Sequence, residues 1–96
     1  MGMDEILKNK RDEILRIAAK HGARNVRVFG SVARGDARPD SDVDLLIDAG
    51  PHRTFFFPGG LVADLEELLG RRVDVVTEKA LFWYIRDRVL KEAVPL

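Results

Sequence analysis

The segment Phe29-Gly30-Ser31, followed after ten residues by Asp42-Val43-Asp44, is the part of the sequence that decides the fold. The first segment ends a predicted strand and the second begins another, so a glycine-serine corner and two carboxylates lie at the ends of adjacent strands. Residues two apart on a strand share a face at a spacing of about 6.5 to 7 Å. A third predicted strand carries Asp74 within Val73–Val76. The pattern predicts one site built from three strands.

The carboxylates of this site favour a cation. Aspartate suits strand interiors poorly, and two ionised carboxylates on one face, Asp42 and Asp44, repel each other unless a cation or water compensates them. Mg²⁺ prefers hard oxygen ligands and usually joins one or two carboxylates to waters and substrate phosphates. Two such ions about 3.5 to 4 Å apart support in-line displacement at phosphorus. We therefore predict two Mg²⁺ ions, held by Asp42, Asp44 and Asp74.

The glycine-serine corner provides the complementary phosphate chemistry. Gly30 lets a phosphate approach the backbone, and Ser31 is predicted to be the N-cap of a short helix whose free N–H groups face an anion. Arg34 and Arg38 follow, and their guanidinium groups could neutralise phosphate oxygens. Taken singly, a Gly-Ser turn or an exposed Asp-x-Asp is common and carries little information. Their combination predicts transfer of a nucleotidyl group from a nucleoside triphosphate.

The same residues resemble the minimal nucleotidyltransferases of the DNA polymerase β superfamily. The matching stretches are residues 30–35, 39–46 and 69–76, and the resemblance extends over nearly the whole chain. It implies that Gly30 and Ser31 contact the nucleotide phosphates and that Asp42 and Asp44 bind the metals. It also implies that Asp74 is the third ligand and helps to deprotonate the acceptor. The segment 54–60 departs from the family pattern because it is unusually apolar.

Periodicity and turn residues predict an α/β (α+β) fold of one domain, residues 1–96. A small mixed sheet with helices packed on one face is expected. The predicted elements are a helix over residues 3–21 with Gly22 after its end, strands over 25–29, 42–48 and 72–77, a short helix over 31–34, a helix from about 61 to 69, and a helix from 78 or 79 to about 93.

The amino-acid composition argues against direct nucleic-acid binding, cysteine chemistry and membrane contact. Sixteen basic and sixteen acidic residues cancel, so the chain lacks the overall basic charge that favours direct nucleic-acid binding. Arg24 and Arg27 join the two site arginines in a local basic cluster that suits a nucleotide. No cysteine is present, and His21 and His52 are not spaced as a metal pair. No apolar run reaches the ~20 residues of a membrane span, which predicts a cytoplasmic protein without membrane contact.

The last helix has apolar residues beyond its core stripe. Leu81 or Phe82, with Ile85 and Val89, is expected to face the core. Trp83 lies off this stripe and, with Phe55–Phe57, could form an apolar docking surface. The alternative, in which these aromatic residues cover the rim of the core, stays open at this point.

Three functions are compatible with these features. The resemblance favours an enzyme that transfers AMP from ATP to a hydroxyl of a small helical partner of the HEPN type, for which it acts as the antitoxin. Nucleic acid would then be reached only through the partner. Transfer to a small hydroxylated molecule and neutralisation by binding alone are the alternatives. Base preference, the acceptor residue and self-association are left open.

Overall fold

A computed structural model of the chain describes residues 3–38, 40–51 and 57–96. In chain order, the elements within these residues are α1 (Met3–Asn9), α2 (Arg11–Lys20), β1 (Ala23–Phe29), α3 (Gly30–Arg34), β2 (Val43–Ala49), α4 (Gly59–Leu69), β3 (Val73–Thr77), a 3₁₀ helix (Glu78–Ala80), α5 (Trp83–Glu92) and β4 (Val94–Pro95). The predicted alternation of helices and strands is confirmed, and β4 is an addition to it.

The strands form one mixed sheet in the order β3-β2-β1-β4. β1 runs antiparallel to both β2 and β4, and β2 runs parallel to β3. A short helix, α3, fills the connection between the antiparallel strands β1 and β2, whereas α4 forms the longer crossover that parallel pairing requires. The predicted fold class is therefore confirmed. The fourth strand has two residues, which is too short to leave a periodic signal.

The main core lies between the sheet and the helices α1, α2 and α4, with one residue from α3. It contains Leu7, Ile14, Ala18, Ala23, Val26, Val28, Val32, Val43, Leu45, Ile47, Leu61, Leu65, Leu69, Val73 and Val75. Leu46 is also fully buried, although its side chain alternates with Leu45 and faces the other side of the sheet. Val89 of α5 is buried and is not a member of the main core. The second face of the sheet is thus covered near Leu46.

Two predicted helices are shorter than expected. The helix predicted over 3–21 is interrupted at Lys10, whose φ of −107° and ψ of 13° depart from helical values. With this bend, Leu7 of α1 and Ile14 of α2 both enter the core. The helix predicted from residue 78 or 79 instead begins at Trp83, because Leu81 and Phe82 are extended and a 3₁₀ turn precedes them.

A charged network joins the sheet to the segment before α5. The Arg27 guanidinium donates to Asp48 at 2.9 Å and to Glu78 at 2.8 Å, and its side chain is 12% exposed. Arg86 of α5 donates to the Glu78 carbonyl at 2.8 Å. Two carboxylates within the fold thus pair with Arg27, and its contribution of charge for a nucleotide stays a prediction.

Three consecutive aromatic residues lie on the surface at the start of α5. Phe82, Trp83 and Tyr84 are 64%, 86% and 66% exposed, and the Tyr84 ring contacts both of the others. Trp83 therefore does not cover the rim of the core. Phe57 packs partly against the core, whereas Phe55 and Phe56 lie outside the described residues. Among the helices in the described ranges, none combines the length and the apolar character needed to cross a membrane.

Candidate active site

Gly30 brings the end of β1 against the carboxylate of Asp44. Phe29 pairs with Asp44 across the antiparallel strands, so the next residue turns directly over this side chain. Gly30 has a φ of +74°, in the left-handed region that L side chains rarely adopt. A Cβ atom placed on Gly30 would collide with the Asp44 Oδ2 atom. Only glycine therefore combines this turn with so close a carboxylate, and Gly30 itself is partly exposed.

Asp44 and Asp74 lie side by side on the parallel strands β2 and β3. They are direct register partners, and neighbouring strands are about 4.7 to 4.9 Å apart. Burial is the largest cause of a rise in the pKa of Asp44 from 3.8 to about 6. The carboxylates of Asp74 and then Asp42 raise this pKa further. The site therefore concentrates negative charge, which the guanidinium of Arg34 offsets only in part.

Asp42 lies one residue before β2 and not within it. Its Oδ1 atom is 3.3 Å from Nε of Arg72, whose side chain is 83% exposed. The loop that carries Asp42 is held by Arg71, whose guanidinium donates to the carbonyls of Arg38 and Ser41. Both arginines lie just before β3. Arg71 thus holds the loop, and Arg72 forms an ion pair with the Asp42 carboxylate that the loop carries. Neither arginine was predicted from the sequence to have a role.

Ser31 is placed differently from the prediction. The N-cap of α3 is Phe29, and Ser31 is the second residue of this helix. Gly30, with its left-handed φ, makes the turn from β1 into α3, so Ser31 lies after this turn and not before the helix. Ser31 is partly exposed and lies next to the Gly30 turn, so the structure brings it to the same corner without the capping role.

The two predicted phosphate-binding arginines have different surroundings. Arg34 ends α3, and its guanidinium is 2.7 Å from Oε1 of Glu92 and 3.3 Å from Oδ2 of Asp36. Glu92 raises the pKa of Asp44 and Arg34 lowers it, so both charges lie close enough to act on this carboxyl. The described contacts of Arg38 are backbone ones, and its side chain is exposed. The structure therefore places Arg34 at the site and leaves Arg38 at its edge.

The carboxylate oxygens of Asp42, Asp44 and Asp74 are ligands of the kind that a hard divalent cation prefers. The carboxylates of Asp42 and Asp74 act electrostatically on Asp44, and oxygen ligands of this kind are those that Mg²⁺ prefers. Within residues 3–38, 40–51 and 57–96, however, no group of three or more acidic, histidine or cysteine side chains converges closely enough to hold an ion.

Comparison with known families assigns the class of the protein. The nucleotidyltransferase domain family matches residues 10–96, and the chain belongs to this family. The resemblance seen in the sequence is thereby confirmed, as is the prediction of a nucleotidyltransferase.

Individual relatives agree with this assignment. A Methanocaldococcus jannaschii protein, provisionally named a protein adenylyltransferase, is 36% identical over 94 residues, which are 98% of this chain and 97% of the relative. Protein adenylyltransferase MntA of Thermococcus cleftensis is 43% identical over 75 residues, which are 78% of this chain and 76% of that protein.

Solved structures show the same fold. A structure provisionally named a minimal nucleotidyltransferase is 50% identical, with a TM-score of 0.85 over 97% of this chain and 95% of its own. A structure described as a toxin-antitoxin with AMP-PNP has a TM-score of 0.73 at 19% identity and covers 88% of this chain and 69% of its own. At that identity, the second similarity concerns the fold alone.

Proposed function

We propose that this nucleotidyltransferase transfers AMP from ATP to a hydroxyl group of a protein partner. The observation that carries the proposal is the contact between Gly30 and Asp44, with Asp74 as the register partner of Asp44 on the next strand. An open backbone corner for phosphates therefore lies beside paired carboxylates. Nucleotidyl transfer needs both features within one triphosphate length.

Each residue of the site has a distinct proposed role. Gly30 and Ser31 bind the triphosphate at the backbone corner, and Arg34 and Arg38 neutralise its outer oxygens. Mg²⁺, in one or two ions held by the three aspartates, would neutralise phosphate charge and make the acceptor hydroxyl more acidic. The hydroxyl oxygen forms the new bond to the α-phosphorus while the bond to the β-phosphate bridging oxygen breaks, and pyrophosphate leaves.

Asp74 is the proposed acceptor of the hydroxyl proton. It is the most exposed of the paired carboxylates on β2 and β3, so an incoming hydroxyl can reach it. Asp44, half-buried against Gly30, is the better placed to face the triphosphate. The two carboxylates thus divide the site into an acceptor side and a nucleotide side.

A protein acceptor is favoured by the surface of α5. Phe82, Trp83 and Tyr84 present three adjacent exposed rings, a composition that is enriched at interaction hot spots. Two curated relatives carry protein adenylyltransferase names, and the solved structure with AMP-PNP is described as a toxin-antitoxin. We accordingly propose a small helical partner of the HEPN type, for which this protein is the antitoxin. A cytoplasmic location and contact with nucleic acid only through this partner belong to the same proposal.

A second candidate is an antitoxin that neutralises its partner by binding alone. The observation in its favour is the exposed cluster of Phe82, Trp83 and Tyr84, which could dock a partner whether or not transfer follows. Transfer to a small hydroxylated molecule has no comparable support in the described structure.

The decisive experiment uses the proposed partner, which we expect to be encoded by a neighbouring gene for a short helical protein. We expect incubation of the two proteins with ATP and Mg²⁺ to increase the mass of the partner by one or more AMP groups. The Asp74→Asn variant and a chelator should each prevent the increase, while the variant keeps most of its ATP affinity because Asp74 acts on the acceptor side. An unmodified partner that is nevertheless neutralised by wild type and by Asp74→Asn would establish the binding-only alternative.

A further inference from the structure

Glu92 reaches the candidate site from the far end of the chain. It is the last residue of α5, and its Oε1 atom lies 2.7 Å from the Nη1 atom of Arg34, 58 residues earlier. The Glu92 side chain is 16% exposed, whereas Arg34 is 53% exposed. A mostly buried carboxylate therefore holds a guanidinium that is half in solvent.

Asp36 also contacts Arg34, but with weaker geometry. Its Oδ2 atom is 3.3 Å from Nε of Arg34, and its side chain is 63% exposed. Exposed ion pairs contribute little because water competes and two long side chains must be ordered. A short charge-assisted hydrogen bond to a mostly buried carboxylate is the stronger restraint. The hydrogen bond to Asp36 is the largest cause of the raised pKa of Arg34, but Asp36 is exposed, and the shorter bond to the less exposed Glu92 is the stronger geometric restraint on the orientation of Arg34.

We propose that Glu92 is a positioning residue that orients Arg34 for the phosphate groups beyond the first phosphate of the nucleotide. This inference rests on the proposed function, because it assumes a triphosphate at the Gly30 corner. A lysine or arginine with a free side chain must lose rotamer freedom when it binds phosphate, and a held guanidinium has already lost it. Glu92 therefore favours ATP over AMP.

A competing electrostatic effect has the opposite sign. Removing the negative charge of Glu92 also reduces repulsion of an anionic nucleotide, so the two effects must be separated. Salt separates them, because at about 0.5 M ionic strength the field of a partly exposed charge decays within a few ångströms while a direct hydrogen bond persists. Under these conditions the orientation of Arg34 decides the affinity.

The test is a double-mutant cycle between Glu92 and Arg34. ATP and AMP dissociation constants are measured with Mg²⁺ at about 0.5 M salt for wild type, Glu92→Gln, Glu92→Ala, Arg34→Gln and the double variants. Glutamine keeps an oxygen acceptor and alanine does not, so ATP affinity should fall in the order wild type, Glu92→Gln, Glu92→Ala, by roughly three- to tenfold in total. AMP affinity should change less than about twofold, and both Glu92 effects should vanish in the Arg34→Gln background.

Other outcomes would overturn the inference. If Glu92→Gln and Glu92→Ala bind ATP equally well and more tightly than wild type, Glu92 acts only as a charge. If their effects persist unchanged in the Arg34→Gln background, it does not act through Arg34. Asp36→Asn is the matched control and should leave the ratio of ATP to AMP affinity unchanged. If the wild-type protein fails to bind ATP and Mg²⁺, the proposed function itself is contradicted. This result differs from a double-mutant cycle in which the Glu92 and Arg34 effects are additive, which contradicts only the role of Glu92.

Discussion

At the scale of the residue, two glycines allow a direct test of why Gly30 is needed. Gly30 and Gly35 have φ values of +74° and +82°, but only a Cβ on Gly30 would meet Asp44. Gly35→Ala should therefore cost only the left-handed backbone strain, about 1 kcal/mol of unfolding free energy. Gly30→Ala should cost the same strain and also displace Asp44. We expect it to destabilise the protein by about 1 kcal/mol more and to abolish stabilisation by ATP and Mg²⁺.

Denaturant unfolding of both alanine variants, with and without ATP and Mg²⁺, measures these quantities. Equal loss of stability in the two variants, together with normal nucleotide binding by Gly30→Ala, would show that the contact with Asp44 is unimportant.

The pKa of Asp44 predicts how its removal affects stability. Its folded-state pKa is raised from 3.8 to about 6, so ionisation is less favourable in the folded protein than in the unfolded chain. The resulting destabilisation is absent below pH 4, develops as the pH rises from 4 to 6, and is complete above pH 6. Asp44→Asn should therefore be more stable than wild type at pH 7.5 by about 1 kcal/mol, a value discounted for solvent screening.

Thermal melts of chelator-treated protein at pH 4 and pH 7.5 provide the measurement. The advantage of Asp44→Asn should disappear at pH 4, and Asp87→Asn, an exposed acid on α5, should show no such dependence. A stabilisation of equal size at both pH values would rule out ionisation of Asp44 as its cause.

At the scale of the element, α5 carries two separate features at its ends. Trp83 at the first position is 86% exposed, and Glu92 at the last position contacts Arg34. The rise of 1.5 Å per residue puts these ends roughly 14 Å apart, so a protein docked at the aromatic end lies within reach of the site. The helix thus connects a candidate docking surface to the candidate active site.

This arrangement predicts the effect of Trp83→Ala. A central aromatic anchor can contribute more than about 2 kcal/mol to an interface, enough to weaken docking of the partner roughly thirtyfold. ATP affinity should be unchanged because the triphosphate corner is formed by Gly30 and Asp44. The unfolding free energy should shift by less than about 0.5 kcal/mol, since the side chain is exposed.

Titration of the partner by calorimetry and the rate of its modification test this prediction. Ile6→Ala on α1, which removes another exposed apolar side chain, is the control and should bind normally. A folded Trp83→Ala protein that docks and modifies the partner at the wild-type rate would exclude this surface.

At the scale of the whole molecule, Arg27 connects distant parts of the chain. Its bonds to Asp48 and Glu78 join β1, β2 and the 3₁₀ helix, and Glu78 in turn is contacted by Arg86. Arg27→Ala should lower the unfolding free energy by about 2 kcal/mol, because it removes two charge-assisted hydrogen bonds, although Asp48 keeps Asn25 and Glu78 keeps Arg86 as a partner. Since these contacts lie away from the Gly30 corner, ATP affinity of the folded protein should stay within about twofold of wild type.

Chemical denaturation compares Arg27→Ala with Arg24→Ala, an exposed arginine on the same strand. The Arg24 variant should be within about 0.5 kcal/mol of wild type. If the two variants are equally stable, the buried network does not stabilise the fold.

Most elements and the central residues of the site could be predicted from local sequence alone. Alternation of apolar residues identified β1, β2 and β3, and glycines after α2 and α4 predicted where those helices end. Gly30, Asp44 and Asp74 could be brought together from sequence because each is tied to the end or register of a strand. Their proposed chemical roles remain predictions.

The tertiary structure decided what depends on the path of the chain. The pairing of Arg34 with Glu92, of Arg27 with Glu78 and of Asp42 with Arg72 cannot be read from periodicity, since the partners are 58, 51 and 30 residues apart. Local patterns report which face of an element is apolar, whereas an ion pair forms only where two elements happen to meet. The pairing of β4 with β1 and the exposure of Trp83 also depend on how distant parts of the chain pack, so local patterns do not report them. The sequence by itself determined the class of site, and the packing of distant elements decided which charges surround it, because Glu92 comes from α5 and Arg72 from the loop before β3.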